Sequence, residues 1–213
     1  MSQQIHFVRH GEVENPEGVL YGRLPGFGLS TAGAAMASLA ADDLRASARP
    51  IERLISSPLQ RALESSAPVA DALGLVPEIE PGLIEASSRL EGGRFAMKLS
   101  IVAKPAAWRY LVNPFRPSWG EPFTDVLART LAVFEAIRDD PREGDVVLVG
   151  HQLPIWLMHR HAVGKPLFHD PRKRRCGLSS ITSFEWGAAG ISEIGYREPA
   201  RRLYERSADV GAV

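Results

Sequence analysis

The sequence predicts an α/β fold: a single-domain, three-layer α/β/α sandwich with a largely parallel central sheet. Short apolar runs typical of buried strands alternate with longer segments that have the periodicity of helices. The chain has 213 residues, enough for one large domain, which we place over residues 1–213. Polar residues follow several of the predicted strands directly. Ligands of such sheets bind beyond the carboxyl ends of the strands, so these polar residues are the candidates for a functional site.

The first part of the chain is predicted to form three strands and two helices. The apolar run Ile5–Val8 stops abruptly at Arg9, as a buried strand does. Ser30 is the expected N-cap of an Ala-rich helix that reaches about Leu44. The other elements expected here are a strand over 51–56, a helix over about 59–73 that Gly74 ends, and a strand over 76–80.

The rest of the chain begins with its least regular segment, 81–122, which we expect to form a lid with one helix within 98–111. Prolines interrupt this segment at positions 105, 114, 117 and 122. After it, the pattern predicts a helix over 124–138, a strand over 146–149, a helix over 153–161 and strands over 179–186 and 191–196. The charged tail, about 199–213, is expected to fray or to lie on the surface.

Composition excludes several classes of function. Lys and Arg number 25 and Asp and Glu number 25, so the chain has no basic excess with which to coat nucleic acid or a membrane surface. Cys176 is the single cysteine, which rules out an intrachain disulfide and a cysteine-based zinc site. No apolar run approaches the ~20 residues of a membrane-spanning helix. The first residues lack the features of a secretory signal, and we expect a cytoplasmic protein.

Histidine and arginine follow the ends of three predicted strands. His10 lies between Arg9 and Gly11 after the first strand, Arg61 follows the second, and His151 follows the strand over 146–149. Arginine offers a planar fork that suits phosphate oxygens, and glycine lets the backbone approach a ligand. A neutral imidazole attacks phosphorus when positive groups neutralise the charge of the transferring phosphoryl group. This combination indicates phosphoryl transfer.

The same residues resemble the motifs of the histidine phosphatase superfamily, the phosphoglycerate-mutase-like proteins. Val8-Arg9-His10-Gly11-Glu12 resembles its signature, with His10 in the place of the phosphorylated nucleophile. Ser57-Pro58-Leu59-Gln60-Arg61-Ala62 resembles the second block, and Val147–His151 resembles the last. Gly120-Glu121 followed by Arg129 resembles a weaker element before a helix. The blocks occur in the family's order along nearly the whole chain.

The resemblance implies a two-step reaction without a metal or cofactor. His10 would attack a phosphomonoester while Arg9, Arg61 and His151 surround the phosphoryl oxygens, and guanidinium and imidazolium groups would supply the charge that a metal supplies elsewhere. An acidic residue would protonate the leaving alcohol and then activate water. Glu85 looks like this acid. Glu91 is the alternative, because the spacing between the two is one residue shorter than is usual in the family.

Other residues would complete the substrate site through the same resemblance. Asn15 lies one residue nearer the nucleophile than the family's usual asparagine, and Gln152 stands where glycine is common, with an amide that can hold phosphate. Ser65 replaces a usual threonine and keeps the hydroxyl. Arg23 belongs to a loop that lacks the usual aspartate, and we expect it to line the mouth of the pocket. The predicted substrate site comprises six residues: Arg9, Gly11, Asn15, Arg23, Arg61 and Gln152.

Three further features have a structural explanation besides a functional one. His159, His161 and His169 lack the spacing and the partners of a metal site. The basic run Arg172–Arg175 is interpreted first as a solvated loop, with attraction of an anionic substrate as the alternative. The aromatic side chains of the lid either form its core or select an apolar or ring-bearing substrate: Trp108, Tyr110, Phe115 and Trp119.

The favoured function is a metal-independent phosphatase for a small phosphorylated metabolite. A cofactor-dependent phosphoglycerate mutase is one alternative, although the segment 86–122 shows no counterpart to the substrate-binding insertion of the mutases. A phospho-ligand-binding regulator with weak catalysis is the other. The sequence leaves the substrate and the oligomeric state open, with a homodimer as one option.

Overall fold

The computed structural model of the protein describes residues 2–93 and 120–205. Its centre is a six-stranded sheet in the order β3-β2-β4-β1-β5-β6. The strands are β1 (Gln4–Arg9), β2 (Ile51–Ser56), β3 (Pro77–Ile79), β4 (Asp145–Gly150), β5 (Ile181–Gly187) and β6 (Gly190–Arg197). Strands β1 to β4 are mutually parallel, whereas β5 pairs antiparallel with β1, and β6 pairs antiparallel with β5. The predicted α/β fold with a largely parallel sheet is confirmed.

Helices cover both faces of the sheet. They are α1 (Thr31–Ala46), α2 (Gln60–Leu73), α3 (Phe123–Arg138), α4 (Gln152–Ala162) and the short α5 (Arg201–Tyr204). As predicted, the Ser30 side chain caps α1 by accepting a hydrogen bond from the Gly33 N–H at 3.0 Å. Gly74 ends α2 in the left-handed conformation, with φ of 69°.

Alternating residues of the central strands build two separate cores. On one face, Phe7 and Leu148 pack with Phe134 of α3 and with Ile155 and Met158 of α4. The opposite face packs against α1 and α2 through Val8, Val147, Val149, Ala40 and Ala62. Because strands that are covered on both faces must be apolar throughout, β4 is buried over its whole length, which explains why its sequence is the clearest strand signal.

The strand order brings three carboxyl ends together. In the parallel pair β1 and β4, Arg9 lies opposite Gly150, and in the pair β2 and β4, Ser56 lies opposite Val149. The segments that leave β1, β2 and β4 therefore start side by side at one edge of the sheet. This is the edge at which a doubly wound sheet holds its ligand.

The predicted elements differ from the observed ones mainly at their ends. Strand β5 begins two residues later than expected, because residues 179–180 approach β1 through irregular backbone, with Ser179 at φ 53°. The strand predicted over 76–80 shortens to Pro77–Ile79. The first part of the tail does not fray: Ala200 is buried, and Leu203 and Tyr204 pack beside it near Met36.

The predicted lid falls largely outside the described residues. Its described beginning is a 3₁₀ turn, Pro81–Leu83, followed by irregular backbone, and its described end pairs with that beginning through a bridge between Ser88 and Gly120. The helix predicted within 98–111 lies outside the described residues. In the described part of the chain, no helix is long and apolar enough to cross a membrane.

Candidate active site

His10 occupies the first position after β1, and its imidazole is fixed from one side. The side chain is 1% exposed, and its Nδ1 lies 2.7 Å from the carbonyl oxygen of Gly11. A carbonyl can only accept, so Nδ1 carries the proton and the lone pair of the neutral ring is on Nε2. The backbone N–H of His10 donates to the Gly150 carbonyl at 3.0 Å, which joins the ends of β1 and β4.

Gly11 is required by a close approach of two backbones. A Cβ atom at this position would lie 2.3 Å from the carbonyl oxygen of Gly33 in α1, and a Cβ atom on Gly33 would lie 2.0 Å from the carbonyl oxygen of Glu12. The two glycines therefore allow the loop after β1 to touch the first turn of α1. The Gly11 N–H also donates to Ser65 Oγ at 3.1 Å, and Ser65 Oγ donates to the Arg61 carbonyl at 2.7 Å. The hydroxyl expected at Ser65 thus links the loop after β1 to α2.

Two arginine side chains are buried beside His10. Arg9 is 0% exposed and Arg61 is 1% exposed. Nη1 of Arg9 donates to the Cys176 carbonyl at 2.6 Å, and Nη2 of Arg61 donates to the Gly22 carbonyl at 2.7 Å. The Arg61 guanidinium also lies over the Tyr21 ring, 4.7 Å from its centroid. Each guanidinium thus donates to a neutral backbone carbonyl.

His151 faces His10 across the site. The centroids of the two rings are 5.3 Å apart, with 57° between the ring planes. Nε2 of His151 lies 2.7 Å from Oγ of Ser57, and within the described residues its buried Nδ1 has no hydrogen-bond partner. Ser57 Oγ also accepts the Leu59 N–H at 3.4 Å, and its hydroxyl proton can be donated to Nε2 of a neutral His151 ring. In this arrangement Nδ1 carries a proton that can be donated to a ligand oxygen.

Burial and the two arginines keep both imidazoles neutral. Desolvation lowers the pKa of His10 well below its usual value, and the charges of Arg61 and Arg9 lower it further. The pKa of His151 is lowered well below its usual value by desolvation and then by Arg61, His10 and Arg9. A neutral imidazole has a free lone pair and can therefore act as a nucleophile. The charge expected from an imidazolium is therefore supplied here by the two guanidinium groups.

The candidate acid Glu85 lies near this site within irregular backbone. It is 2% exposed, and its Oε1 accepts the Ala86 N–H at 2.9 Å. Both Glu85 and Glu91 are close enough to raise the pKa of Arg61 by their charge, against the larger lowering by desolvation. Oε1 of Glu91 accepts the Ser88 N–H at 3.0 Å and lies beside Gly22. Glu85 is the more deeply buried of the two carboxylates.

Comparison with known proteins identifies the family. The sequence model of the histidine phosphatase superfamily (branch 1) matches residues 5–197. The chain belongs to this superfamily.

Relatives and solved structures of the superfamily span most of the chain. The uncharacterized protein Rv0525 of Mycobacterium tuberculosis is 46% identical over 197 residues, which are 92% of this chain and 96% of that protein. The mycobacterial glucosyl-3-phosphoglycerate phosphatase Rv2419c is 25% identical, with a TM-score of 0.72 over 92% of this chain and 97% of that chain. The phosphoserine phosphatase of Entamoeba histolytica is 17% identical and has a TM-score of 0.73, over 92% of this chain and 96% of that chain. At that identity the last similarity shows the fold alone.

The remaining predicted substrate residues make contacts within the protein. Nδ2 of Asn15 donates to the Val19 carbonyl at 2.9 Å, and its Oδ1 accepts the Val19 N–H at 3.0 Å. The side chain therefore stabilises the turn between residues 15 and 19. Oε1 of Gln152 accepts from Nη1 of Arg174 at 3.2 Å. Nε of Arg23 donates to the Glu85 carbonyl at 2.6 Å. For Asn15, Gln152 and Arg23, contact with a substrate stays a prediction.

The basic run is largely paired within its own surroundings. Arg172 forms a bidentate contact with Asp170, with Nη2 at 2.8 Å from Oδ2. Arg175 pairs with Glu193, which also pairs with His159. Arg174 is half-buried, and its Nε donates to Nε2 of His169 at 2.9 Å.

The histidines beyond the site also have structural contacts. The His159 ring stacks on Trp156, with centroids 4.6 Å apart. Over residues 2–93 and 120–205, no group of three or more metal-ligating side chains is present.

Sequence reasoning assigned no role to Ser57 or Arg129 and left Glu121 in a motif without a function. Ser57 precedes a proline, which made it look like the end of a strand. Ser57 does start the motif that contains Arg61, which could have indicated a role in the site. Its partner His151 is 94 residues away, however, so no local pattern predicts their contact. The four lid aromatics at 108, 110, 115 and 119 lie outside the described residues.

Proposed function

We propose that this member of the superfamily is a metal-independent phosphomonoester phosphatase that acts through a phosphohistidine intermediate. The observation that carries the proposal is the buried His10 imidazole, whose Nδ1 lies 2.7 Å from the Gly11 carbonyl oxygen and therefore carries a proton. The lone pair on Nε2 is thereby available beside two guanidinium groups. A nucleophile surrounded by positive charge is what phosphoryl transfer requires.

In the first step, the Nε2 lone pair of His10 attacks phosphorus and the bond from phosphorus to the ester oxygen breaks. The guanidinium groups of Arg9 and Arg61 and the Nδ1–H of His151 stabilise the charge on the three other phosphoryl oxygens. The carboxyl proton of Glu85 passes to the departing alkoxide, which leaves as an alcohol. The products of this step are phosphohistidine and the Glu85 carboxylate.

In the second step, water attacks the same phosphorus atom. The Glu85 carboxylate takes a proton from the water, and the bond from phosphorus to Nε2 breaks, with its electron pair returning to the imidazole of His10. Inorganic phosphate leaves, and both residues are restored. One carboxyl group thus serves first as an acid and then as a base.

The independence from metal is supported by the charge already present at the site. Arg9 and Arg61 are almost fully buried, and in a dry site a positive charge stabilises a phosphoryl group far more strongly than it does in water. Two guanidinium forks can engage all three transferring oxygens in the way that Mg²⁺ does in other phosphotransferases.

For the substrate, we infer a small phosphorylated metabolite. The similarity to the mycobacterial glucosyl-3-phosphoglycerate phosphatase, at 25% identity over 92% of this chain, supports this class. The deep burial of His10, His151 and Glu85 also favours a phosphate on a slender, flexible substituent over one on the surface of a folded protein.

The test is phosphate release from p-nitrophenyl phosphate in excess EDTA. We expect turnover by the natural chain, none by His10→Ala, and normal turnover by His161→Ala, which removes an exposed histidine on α4. A metabolite panel that includes phosphoglycerate and phosphoserine then ranks substrates. Activity that is lost in EDTA and restored by added metal would contradict the metal-free mechanism. Isomerisation of 3-phosphoglycerate without phosphate release would favour the mutase.

A further inference from the structure

The segment that carries Glu85 is held by a charged cluster that the proposed mechanism does not use. We call residues 82–88 the acid loop. Glu121 lies at the centre of the cluster, with a side chain that is 17% exposed. Its carboxylate accepts from Nη2 of Arg23 at 2.7 Å and from Nε and Nη2 of Arg129 at 3.0 and 3.3 Å. One carboxylate thus joins two guanidinium groups from distant parts of the chain.

Both arginines use their other donors on the main chain of the acid loop. Nε of Arg23 donates to the carbonyl of Glu85 itself at 2.6 Å. Nη1 of Arg129 donates to the Gly82 carbonyl at 2.7 Å. The cluster therefore holds the loop at Glu85 and at a point three residues before it.

Glu121 also holds the far side of the acid loop directly. Its backbone N–H donates to the Ser87 carbonyl at 3.0 Å, and its carboxylate accepts the Ser87 N–H at 3.4 Å. The neighbouring bridge between Ser88 and Gly120 continues this pairing. Glu85 is thus fixed at its own carbonyl and on both sides along the chain.

The acid loop has little regular structure that would fix it otherwise. After the 3₁₀ turn Pro81–Leu83 it forms no helix or strand before the bridge at Ser88. Isolated surface ion pairs are weak, but this cluster is a partly buried network in which every side-chain hydrogen bond involves a carboxylate or a guanidinium group and is therefore charge-assisted. Such a network can hold a carboxyl group within the narrow limits that proton transfer demands. Arg129 is also close enough to the pocket to help lower the pKa of His151.

We propose that Glu121, with Arg23 and Arg129, is a positioning residue that sets the Glu85 carboxyl at the ester oxygen of the substrate. This rests on the proposed function, in which Glu85 protonates the leaving group. The proposal also gives Arg23 a role other than substrate binding, because its guanidinium group orients the acid loop through the Glu85 carbonyl.

The test compares substrates that differ only in their need for a proton donor. p-Nitrophenolate leaves without protonation, whereas the alkoxide of β-glycerol phosphate does not. The ratio kcat/KM reports the steps up to phosphorylation of His10 and so omits the later hydrolysis of the intermediate. For Glu121→Gln we expect kcat/KM to fall ~10-fold or more on β-glycerol phosphate and less than ~3-fold on p-nitrophenyl phosphate, because a general acid contributes about 10²–10⁴-fold.

Two further variants separate positioning from general damage. Arg23→Gln removes the bond to the Glu85 carbonyl but leaves Arg129 paired with Glu121, and we expect the same selective loss. Asp43→Asn breaks an ion pair of similar exposure, with Arg197 at 2.7 Å, on the surface of α1. We expect Asp43→Asn to leave kcat/KM unchanged on both substrates. An equal loss on both substrates in Glu121→Gln and Arg23→Gln would overturn the proposal.

A double variant tests whether the cluster acts through Glu85. Glu85→Gln alone should show the selective loss on β-glycerol phosphate. Adding Glu121→Gln to it should lower kcat/KM little further, since no acid remains to be positioned. Full additivity would contradict the proposal. If the natural chain does not hydrolyse phosphomonoesters, or Glu85→Gln is not selective, the proposed function fails; a selective Glu85→Gln beside an unselective Glu121→Gln refutes the positioning role alone.

Discussion

Removal of the Ser57 hydroxyl tests how the second histidine is oriented. Ser57 is 0% exposed, and its Oγ lies 2.7 Å from Nε2 of His151. In Ser57→Ala, a buried ring nitrogen loses its partner, and nothing then determines which nitrogen carries the proton. Where Nε2 holds it, Nδ1 can no longer donate to a phosphoryl oxygen. We therefore expect a slower enzyme with an intact fold.

The size of the effect follows from the lost hydrogen bond. A buried polar group that is left unsatisfied costs about 1–3 kcal/mol. If this cost is felt in the transition state, at ~1.4 kcal/mol for each factor of ten, kcat falls roughly 5- to 150-fold. The fall in kcat should be larger than any rise in KM, because the His151 donor matters most in the transition state, where negative charge accumulates on the phosphoryl oxygens.

The assay is steady-state hydrolysis of p-nitrophenyl phosphate, with thermal unfolding measured in parallel. Ser56→Ala is the matched control: it is equally buried, but its Oγ donates to the Ser57 carbonyl at 3.1 Å and does not contact His151. Ser57→Thr keeps the hydroxyl and should retain most of the activity. Equal kcat values in Ser57→Ala and Ser56→Ala would refute the proposed role of the hydroxyl.

Two further predictions concern stability. The pKa of His10 is lowered in the fold from the ordinary 6.5, so the stability that its neutral form provides is present above pH 6.5 and is lost as the pH falls below it. Acidification from about pH 7.5 to 5.5 should thus lower the Tm of His10→Ala less than that of the natural chain; an equal drop would count against a neutral, desolvated ring. In Gly11→Ala, the new Cβ would lie 2.3 Å from the backbone oxygen of Gly33, and overpacking of this kind costs ~1–3 kcal/mol. Chemical denaturation should show this loss, whereas Gly195→Ala, with open space at its Cβ position, should be near neutral.

The residues that follow strands directly could be predicted from the sequence. His10 and His151 each lie two residues after an apolar run that is long enough to be recognised, and parallel strands bring their carboxyl ends together. The fold class and most elements followed from the same alternation of strand and helix patterns. Element ends were less predictable, as at β5, where the positive φ of Ser179 interrupts the expected strand.

Contacts between distant segments could not be predicted in this way. Arg23 and Glu121 are 98 residues apart, and no local pattern indicates that both converge on the acid loop. Gly11 was expected to make room for a ligand, yet its nearest neighbour is the backbone of Gly33. Gly11 thus allows the loop after β1 to pack closely against α1, which only the tertiary arrangement reveals, and its approach to a ligand stays a prediction.

The central claim is that phosphate is transferred to Nε2 of His10, and trapping the intermediate tests it most directly. The natural chain is mixed with a radiolabelled phosphomonoester in EDTA, quenched in alkali within one turnover and digested, and the labelled peptide is sequenced. We predict alkali-stable, acid-labile label on the peptide that contains His10, full labelling of His161→Ala and none of His10→Ala. Rapid turnover with no label on any histidine, or label that persists in His10→Ala, would contradict the account.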